Sequence, residues 1–361
     1  MVAAINTRLI KKLSIGIPAS ALALAISSQA MAEVTIYGRA HVSVDYLDDG
    51  AKYSKTNLSS NSSRLGFKGS HDISPDLKAF FQIEQQINFA TGSEDGDSGN
   101  FSTRDTFVGL AGNFGAVQVG RFDSPFKVAR GPANLFGDQV GDMRNLTRVG
   151  DARFDERYDN TLQYTTPDLN GFRIKLAYST YEGQNAVEDK DSSDAGSVAL
   201  SYVRGPFEGA LAYEKVGKDS SKGKRDGLRL AAAYKLTDNF KMVGFYQNVD
   251  YKGGSNAALR KQLSSDTYGL GGEYKLSSNT ALKAMWMTRD ADDSDYGADM
   301  WVVGVEHKLD KAVRVYANYA VTDNNKAAKL TPWRQARSAK PGATVAGKEA
   351  SGLSVGLRYD F

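Results

Sequence analysis

From Gly352 the chain reads GLSVGLRYDF. Leu353, Val355, Leu357, Tyr359 and Phe361 fall on one face of an extended strand, and Ser354, Gly356, Arg358 and Asp360 on the other. This segment constrains the architecture more than any other. Chain termini fray unless something ties them down. An amphipathic strand held to an aromatic last residue is expected where the last strand pairs with the first and closes a sheet inside a membrane. Apolar side chains then face lipid and the alternate ones face water.

The same alternation recurs along the chain. Strands are expected near 34–47, 63–73, 78–90, 103–112, 116–124, 157–166, 172–180, 197–204, 208–215, 227–236, 240–251, 266–276, 281–289, 298–309, 313–322 and 352–361. Short connectors rich in turn residues, such as Ser74-Pro75-Asp76 and Thr237-Asp238-Asn239, alternate with long polar ones. The long ones are expected near 48–62, 91–102, 126–155, 181–196, 216–226, 252–265, 290–297 and 323–350. Short turns at one end and long loops at the other are the asymmetry of an outer-membrane barrel. The reading is all-β: a 16-stranded antiparallel transmembrane β-barrel. Sixteen strands leave an aqueous lumen, whereas eight would be filled by side chains.

At the other end, Arg8, Lys11 and Lys12 precede an apolar run from Leu13 to Ile26, closed by Ala30-Met31-Ala32. A positive start, a short apolar run and a small-x-small site read as a signal peptide over 1–32, with the barrel domain at 33–361. The run is shorter than a spanning helix needs. Segment 1–32 holds three bases and no acid, so without it the 45 bases fall to 42 against 42 acids. A neutral balance gives no support for nucleic acid as a partner. With no cysteine there is no disulfide framework or thiolate metal site, and nothing in the sequence calls for a metal or cofactor. The histidines, 41, 71 and 307, sit in no catalytic frame, so no catalytic residue is expected and the chain is not read as an enzyme. Gly269-Leu270-Gly271-Gly272 lies in a strand pattern and leads to no helix, which argues against a phosphate loop.

Several segments together resemble general Gram-negative porins. They are Val34-Thr35-Ile36-Tyr37-Gly38, Ser63-Arg64-Leu65-Gly66-Phe67-Lys68-Gly69, Phe81-Gln82-Ile83-Glu84-Gln85, Thr106-Phe107-Val108-Gly109-Leu110, Val119-Gly120-Arg121 and Asp159-Asn160-Thr161-Leu162-Gln163-Tyr164. With Phe361, their order covers essentially all of 33–361. The resemblance implies a homotrimeric diffusion porin of the outer membrane whose third external loop folds into the barrel and narrows it. Its expected partners are outer-membrane lipid and lipopolysaccharide, ions and small hydrophilic solutes. Phe361 resembles the family's signal to the barrel assembly machinery. The apolar alternate residues Val34, Ile36, Val42 and Val44 could pack on a neighbouring subunit.

Within the third long connector, Asp138 and Asp142 are four residues apart. A helical turn there would place both carboxylates on one face, giving the acidic edge of a constriction. The basic edge is expected on the wall: Arg39, Arg64, Lys68, Arg121 and Arg157, each turned into the lumen because a charge facing lipid near mid-membrane costs a few kcal/mol. A wall base could instead be tied to a carboxylate such as Glu84. Opposed edges would set a transverse field that favours small hydrophilic solutes. The last long connector, with Lys326, Lys329, Arg334, Arg337, Lys340 and Lys348, could steer anions to the mouth. A channel preferring phosphate or a sugar, and a barrel used mainly for surface recognition, remain the alternatives.

Overall fold

A computed structural model describes residues 33–92, 104–149, 154–180, 194–217, 224–252 and 256–361. The expected signal peptide lies outside the described residues, as does most of the second and fourth long connectors. Seventeen hydrogen-bonded segments form one sheet. They are β1 (Glu33–Asp48), β2 (Ser54–Ser60), β3 (Arg64–Ser74), β4 (Leu77–Gln86), β5 (Thr106–Gly112), β6 (Gly115–Asp123), β7 (Arg157–Thr165), β8 (Phe172–Ser179), β9 (Ala195–Arg204), β10 (Phe207–Val216), β11 (Lys224–Lys235), β12 (Phe240–Lys252), β13 (Ser265–Lys275), β14 (Thr280–Ala291), β15 (Ala298–Lys308), β16 (Val313–Asn324) and β17 (Ala350–Asp360). β2 and β3 both pair antiparallel with β1, end to end, and are one strand interrupted at Asn61–Ser63. The wall therefore has sixteen strands, each antiparallel to its neighbours.

The first connector differs from expectation. Residues 54–60 extend the second strand through much of the region read as loop, because Ser, Thr and Asn replace apolar residues there and hide the alternation. β17 closes the barrel on β1 from Arg39↔Asp360 to Asp48↔Ser351. Beyond the ladder, Gly38 N donates to Phe361 O at 2.8 Å and Phe361 N donates to Gly38 O at 3.1 Å. Among the described residues no sheet edge remains.

Alternation sorts the wall into two faces. Trp301 and Val303 on β15 and Leu353, Val355 and Leu357 on β17 are exposed on the outside, whereas Met300, Val302 and Ser354 between them are buried on the inside. Among the described residues no helix is long and apolar enough to cross a membrane; the crossing elements are strands. The main apolar core lies within the barrel. There Leu135, Phe136, Val140, Met143 and Leu146 of the third connector pack on Met285, Met287, Met300 and Val302 of the wall and on Trp333 of the last connector.

Candidate functional site

The third connector leaves β6 through α1 (Pro125–Val128). Ser124 caps this short helix, its side chain accepting from Lys127 N at 3.2 Å, and Pro125 sits at the first turn, where its missing N–H costs nothing. A second short helix, α2 (Arg144–Thr147), follows. Inward-facing wall residues hold the segment between them. Asn318 Nδ2 donates to Gln139 Oε1 at 2.6 Å, Gln247 Nε2 to Thr147 O at 2.9 Å, and Arg229 Nη1 to Phe126 O at 2.8 Å and to Asp155 Oδ1 at 2.5 Å. Gly141, at φ +90°, turns its N–H onto Pro332 O at 2.6 Å, and a Cβ there would collide with Val302.

The helical turn expected to carry Asp138 and Asp142 does not form. The segment is a series of turns, with Asp138 in the left-handed region at φ +63°. The carboxylates converge by another route. Asp142 Oδ2 accepts from Asp138 N at 2.7 Å, and Arg144 bridges both acids, at 2.7 Å to Asp138 Oδ1 and 2.9 Å to Asp142 Oδ1. Asp142 is fully buried. Asp138 also receives Arg39 Nη1 at 3.4 Å. Burial works to raise the Asp138 pKa, but Arg144, then His41 and Arg39, outweigh it and hold the carboxyl well below the usual range.

The wall bases are not an uncompensated edge. Arg64 lies 3.2 Å from Glu84, which also binds Arg104 and accepts from Tyr37 Oη at 3.0 Å. Arg157 binds Asp105 and reaches Asp123 at 2.9 Å. Lys68 is exposed, 5.2 Å from the centroid of the Tyr37 ring. Lys68 and Lys175 have no carboxylate partner among the described residues.

Arg121 is a correction. Register places Ile36, Phe67, Ile83, Thr106 and Arg121 in one row across five strands, and Ile36 is exposed on the outside. Arg121 therefore shares the outer face with Val117 and Val119 and pairs with Asp159. The expectation took every base on a wall strand to face the lumen, and the register turns this one outward.

Sequence reasoning missed a chain of alternating charges on the inner wall. Lys241 lies 3.7 Å from Glu273, which is 3.9 Å from Lys283; Lys283 is 2.9 Å from Glu306, and Glu306 is 3.6 Å from Arg314. Arg314 is 3.7 Å from Asp360, which meets Arg39 at 2.7 Å, and Arg39 leads to Asp138. The signal was present in the cross-strand pairs Lys241↔Glu273 and Glu273↔Lys283. In the last connector Arg337 is buried against Asp45 and so is not free to steer solutes, whereas Lys326, Lys329, Arg334, Lys340 and Lys348 are exposed; Trp333 beside them is fully buried.

A closed barrel of sixteen antiparallel strands, apolar outside and lined with ionised side chains within, is a membrane channel. Residues 19–327 match the Gram-negative porin family, and the chain belongs to that family. It is 30% identical over 359 residues to outer membrane porin protein 32 of Delftia acidovorans, covering 94% of this chain and 97% of that one. It is also 30% identical over 243 residues to the major outer membrane protein P.IA of Neisseria meningitidis serogroup C, spanning 58% of this chain and 59% of that protein. Among solved structures, an anion-selective porin from Comamonas acidovorans superposes with a TM-score of 0.75 at 26% identity, over 91% of this chain and all of that one. A trimeric form of OmpT from Vibrio cholerae superposes with a TM-score of 0.64 at 19% identity, over 91% and 99%. The protein is an outer-membrane porin, a channel for passive diffusion; the family is one of channels rather than enzymes.

Proposed function

We propose that the third connector forms the constriction, with Asp138 and Arg39 as the ion pair nearest the permeating solute and Arg64, Lys68 and Arg157 on the facing wall. The pore prefers small anions. One observation carries this reading: Asp138 and Asp142 are already neutralised by Arg144 and Arg39, whereas Lys68 and Lys175 on the wall have no acid partner among the described residues. In a gap only several ångströms across, uncompensated charge acts within one Debye length, about 8 Å at physiological salt. The anion selectivity of the Comamonas acidovorans porin is in keeping with this. The porin works as a homotrimer, in keeping with the trimeric neighbour.

The experiment is the reversal potential of reconstituted channels across a potassium chloride gradient. An anion-preferring sign is expected, with Lys68→Gln and Lys175→Gln together moving it toward cations. A cation-preferring wild type would overturn the selectivity.

A further inference from the structure

A group of phenylalanines on the inner wall has no part in the constriction. Register places Thr35, Lys68, Gln82 and Phe107 in one inward row. Ser70, Phe80, Gly109 and Gln118 form the row below it, nearer the short turns. The rings of Phe80 and Phe107 meet edge to face with centroids 6.0 Å apart, and Phe107 meets Phe122 in the same way at 5.7 Å. Phe122 is buried, whereas Phe80 and Phe107 are each only partly covered. Gly109 makes room for this arrangement: a Cβ there would lie 2.5 Å from Phe80 Cζ, so the Phe80 ring rests against the wall across β5. A cavity of about 390 Å³ opens over the two rings, lined by Phe80, Phe107, Lys68, Gln82, Gln118 and Thr35, with Glu33 at its edge in the lower row.

Two partly bare aromatic rings in a wet lumen are apolar surface that a flat solute ring covers better than water does. An edge-to-face pair leaves one open face and one open edge, and a planar ring fits the angle between them. Beside the rings stands Lys68, exposed, with its Nζ 5.2 Å from the centroid of the Tyr37 ring and no carboxylate within ion-pair distance among the described residues, Glu33 included. The Gln82 and Gln118 amides and the Thr35 hydroxyl add hydrogen-bond donors to the same cavity. Each simpler occupant leaves part of this set unmatched. A small inorganic anion would meet Lys68 and leave the rings bare, and a neutral sugar would cover the rings and leave the ammonium without a countercharge.

We infer that this cavity is a binding site for aromatic carboxylates, placed on the periplasmic side of the constriction. The inference rests on the anion-preferring reading above and names a solute class for it. The ring of the solute packs on Phe80 and Phe107, and its carboxylate meets Lys68. Lys68 thus draws anions from the constriction, and the rings select among them. The site holds its solute weakly, since a channel needs binding favourable enough to fill a site and weak enough to empty it.

The test uses full-length porin in planar bilayers carrying a chloride current, with sodium benzoate, sodium acetate, benzamide or maltose added. Benzoate is expected to reduce the current at concentrations several-fold below those of acetate, and benzamide and maltose to need more than benzoate. An anion-preferring channel in which benzoate acts no better than acetate would overturn this inference and leave the anion reading standing. A cation-preferring channel would sink that reading and this inference with it. Benzamide or maltose acting as strongly as benzoate would overturn the joint use of ring and charge. Phe80→Leu with Phe107→Leu keeps apolar bulk and removes the flat rings; it is expected to bring benzoate close to acetate, with the potassium chloride reversal potential unchanged. A benzoate preference that survives this change would place the site elsewhere. A second measurement does not depend on that double variant folding. The chain has no cysteine, so Gln82→Cys presents a single thiol at the cavity to a charged, water-soluble thiol reagent. Benzoate is expected to slow its modification several-fold more than acetate does, and equal rates in the two salts would overturn the proposal.

Discussion

At the scale of single residues, Asp138 and Asp142 of the third connector are chemically unequal. Asp138 lies partly open, between Arg39 and Arg144; Asp142 is sealed beneath it on Arg144 and the Asp138 N–H. Asp138→Asn is therefore expected to raise anion over cation permeability roughly two-fold, because it uncovers Arg39 to the solution. Asp142→Asn is expected to act mainly on the loop, since it strips a fully buried partner from Arg144 and leaves a noisier channel at similar selectivity; single-channel recording separates the two. Lys127 gives a pH dependence. Burial lowers its ammonium pKa from 10.5 to about 8, with Asp123 opposing and Arg157 reinforcing the shift. The unfolded chain then binds more protons than the folded one between about pH 8 and 10.5, so this group's destabilising contribution is full below pH 8 and fades as pH rises to 10.5. Wild type should gain thermal stability in detergent across that window relative to Lys127→Met, by the order of 2–3 kcal/mol; a parallel pH response of the two proteins would remove Lys127 as the source. The residue types at the constriction were legible in the sequence, but their partners were not. Arg144 lies two residues from Asp142, and only the turn at Asp138 folds it back over both acids.

At the scale of elements, two connectors pack on the wall residues and are held by buried charges. The third is held at its base by Asp155, fully buried between Arg229 and Arg130. Burial alone would raise the Asp155 pKa, but the two guanidinium groups reverse that and lower it. The last connector is held by Arg337 on Asp45, and it reaches the third through Gln335 N, which donates to Asn145 Oδ1 at 2.9 Å. Breaking a buried ion pair from one side costs about 3–5 kcal/mol, because the other charge stays buried alone, whereas removing both members is far milder. Arg337→Met should thus expose the 325–349 segment to protease, and Asp45→Asn with Arg337→Met should restore much of the protection. Equal cleavage of the single and double variants would show that the ion pair does not hold the loop. The sequence marked both connectors by their length, and the third by the family resemblance. It could not reveal the packing of the last one, since a run of Lys and Arg looks the same whether solvated or buried against an acid some 290 residues away. The only hint was Trp333, a large apolar residue amid polar ones.

At the scale of the whole molecule, one seam makes a barrel of a sheet, and the sequence showed it most plainly. Period-two alternation, the even strand count and the terminal amphipathic strand all follow from a wall with lipid on one side and water on the other. The alternation failed as a guide at Arg121, a base that the register turns outward, and along β2, where polar residues hide it. The seam joins two unlike contributions. Asp360 faces inward and is shared by Arg39, Arg358 and Arg314. Phe361 makes the last two backbone hydrogen bonds of the closure, and its ring lies over Gly38, where an added Cβ would sit 2.4 Å from a ring carbon. Deleting Phe361 removes both hydrogen bonds and the ring cover, and it exposes the start of β1 as an unpaired edge in the membrane, where each lost backbone partner costs several kcal/mol. Asp360→Asn keeps the backbone seam and loses only charge in a wet lumen, where ion pairs contribute less. Folded yield in the outer membrane should therefore fall at least several-fold for the deletion and by less than about two-fold for Asp360→Asn, whose uncovered arginines should instead move the reversal potential toward anions. Gly38→Val, which drives a side chain into the Phe361 ring, should reproduce the yield loss with Phe361 still present. If the deletion lowers yield and Gly38→Val does not, Phe361 acts through recognition during assembly rather than through the seam it closes.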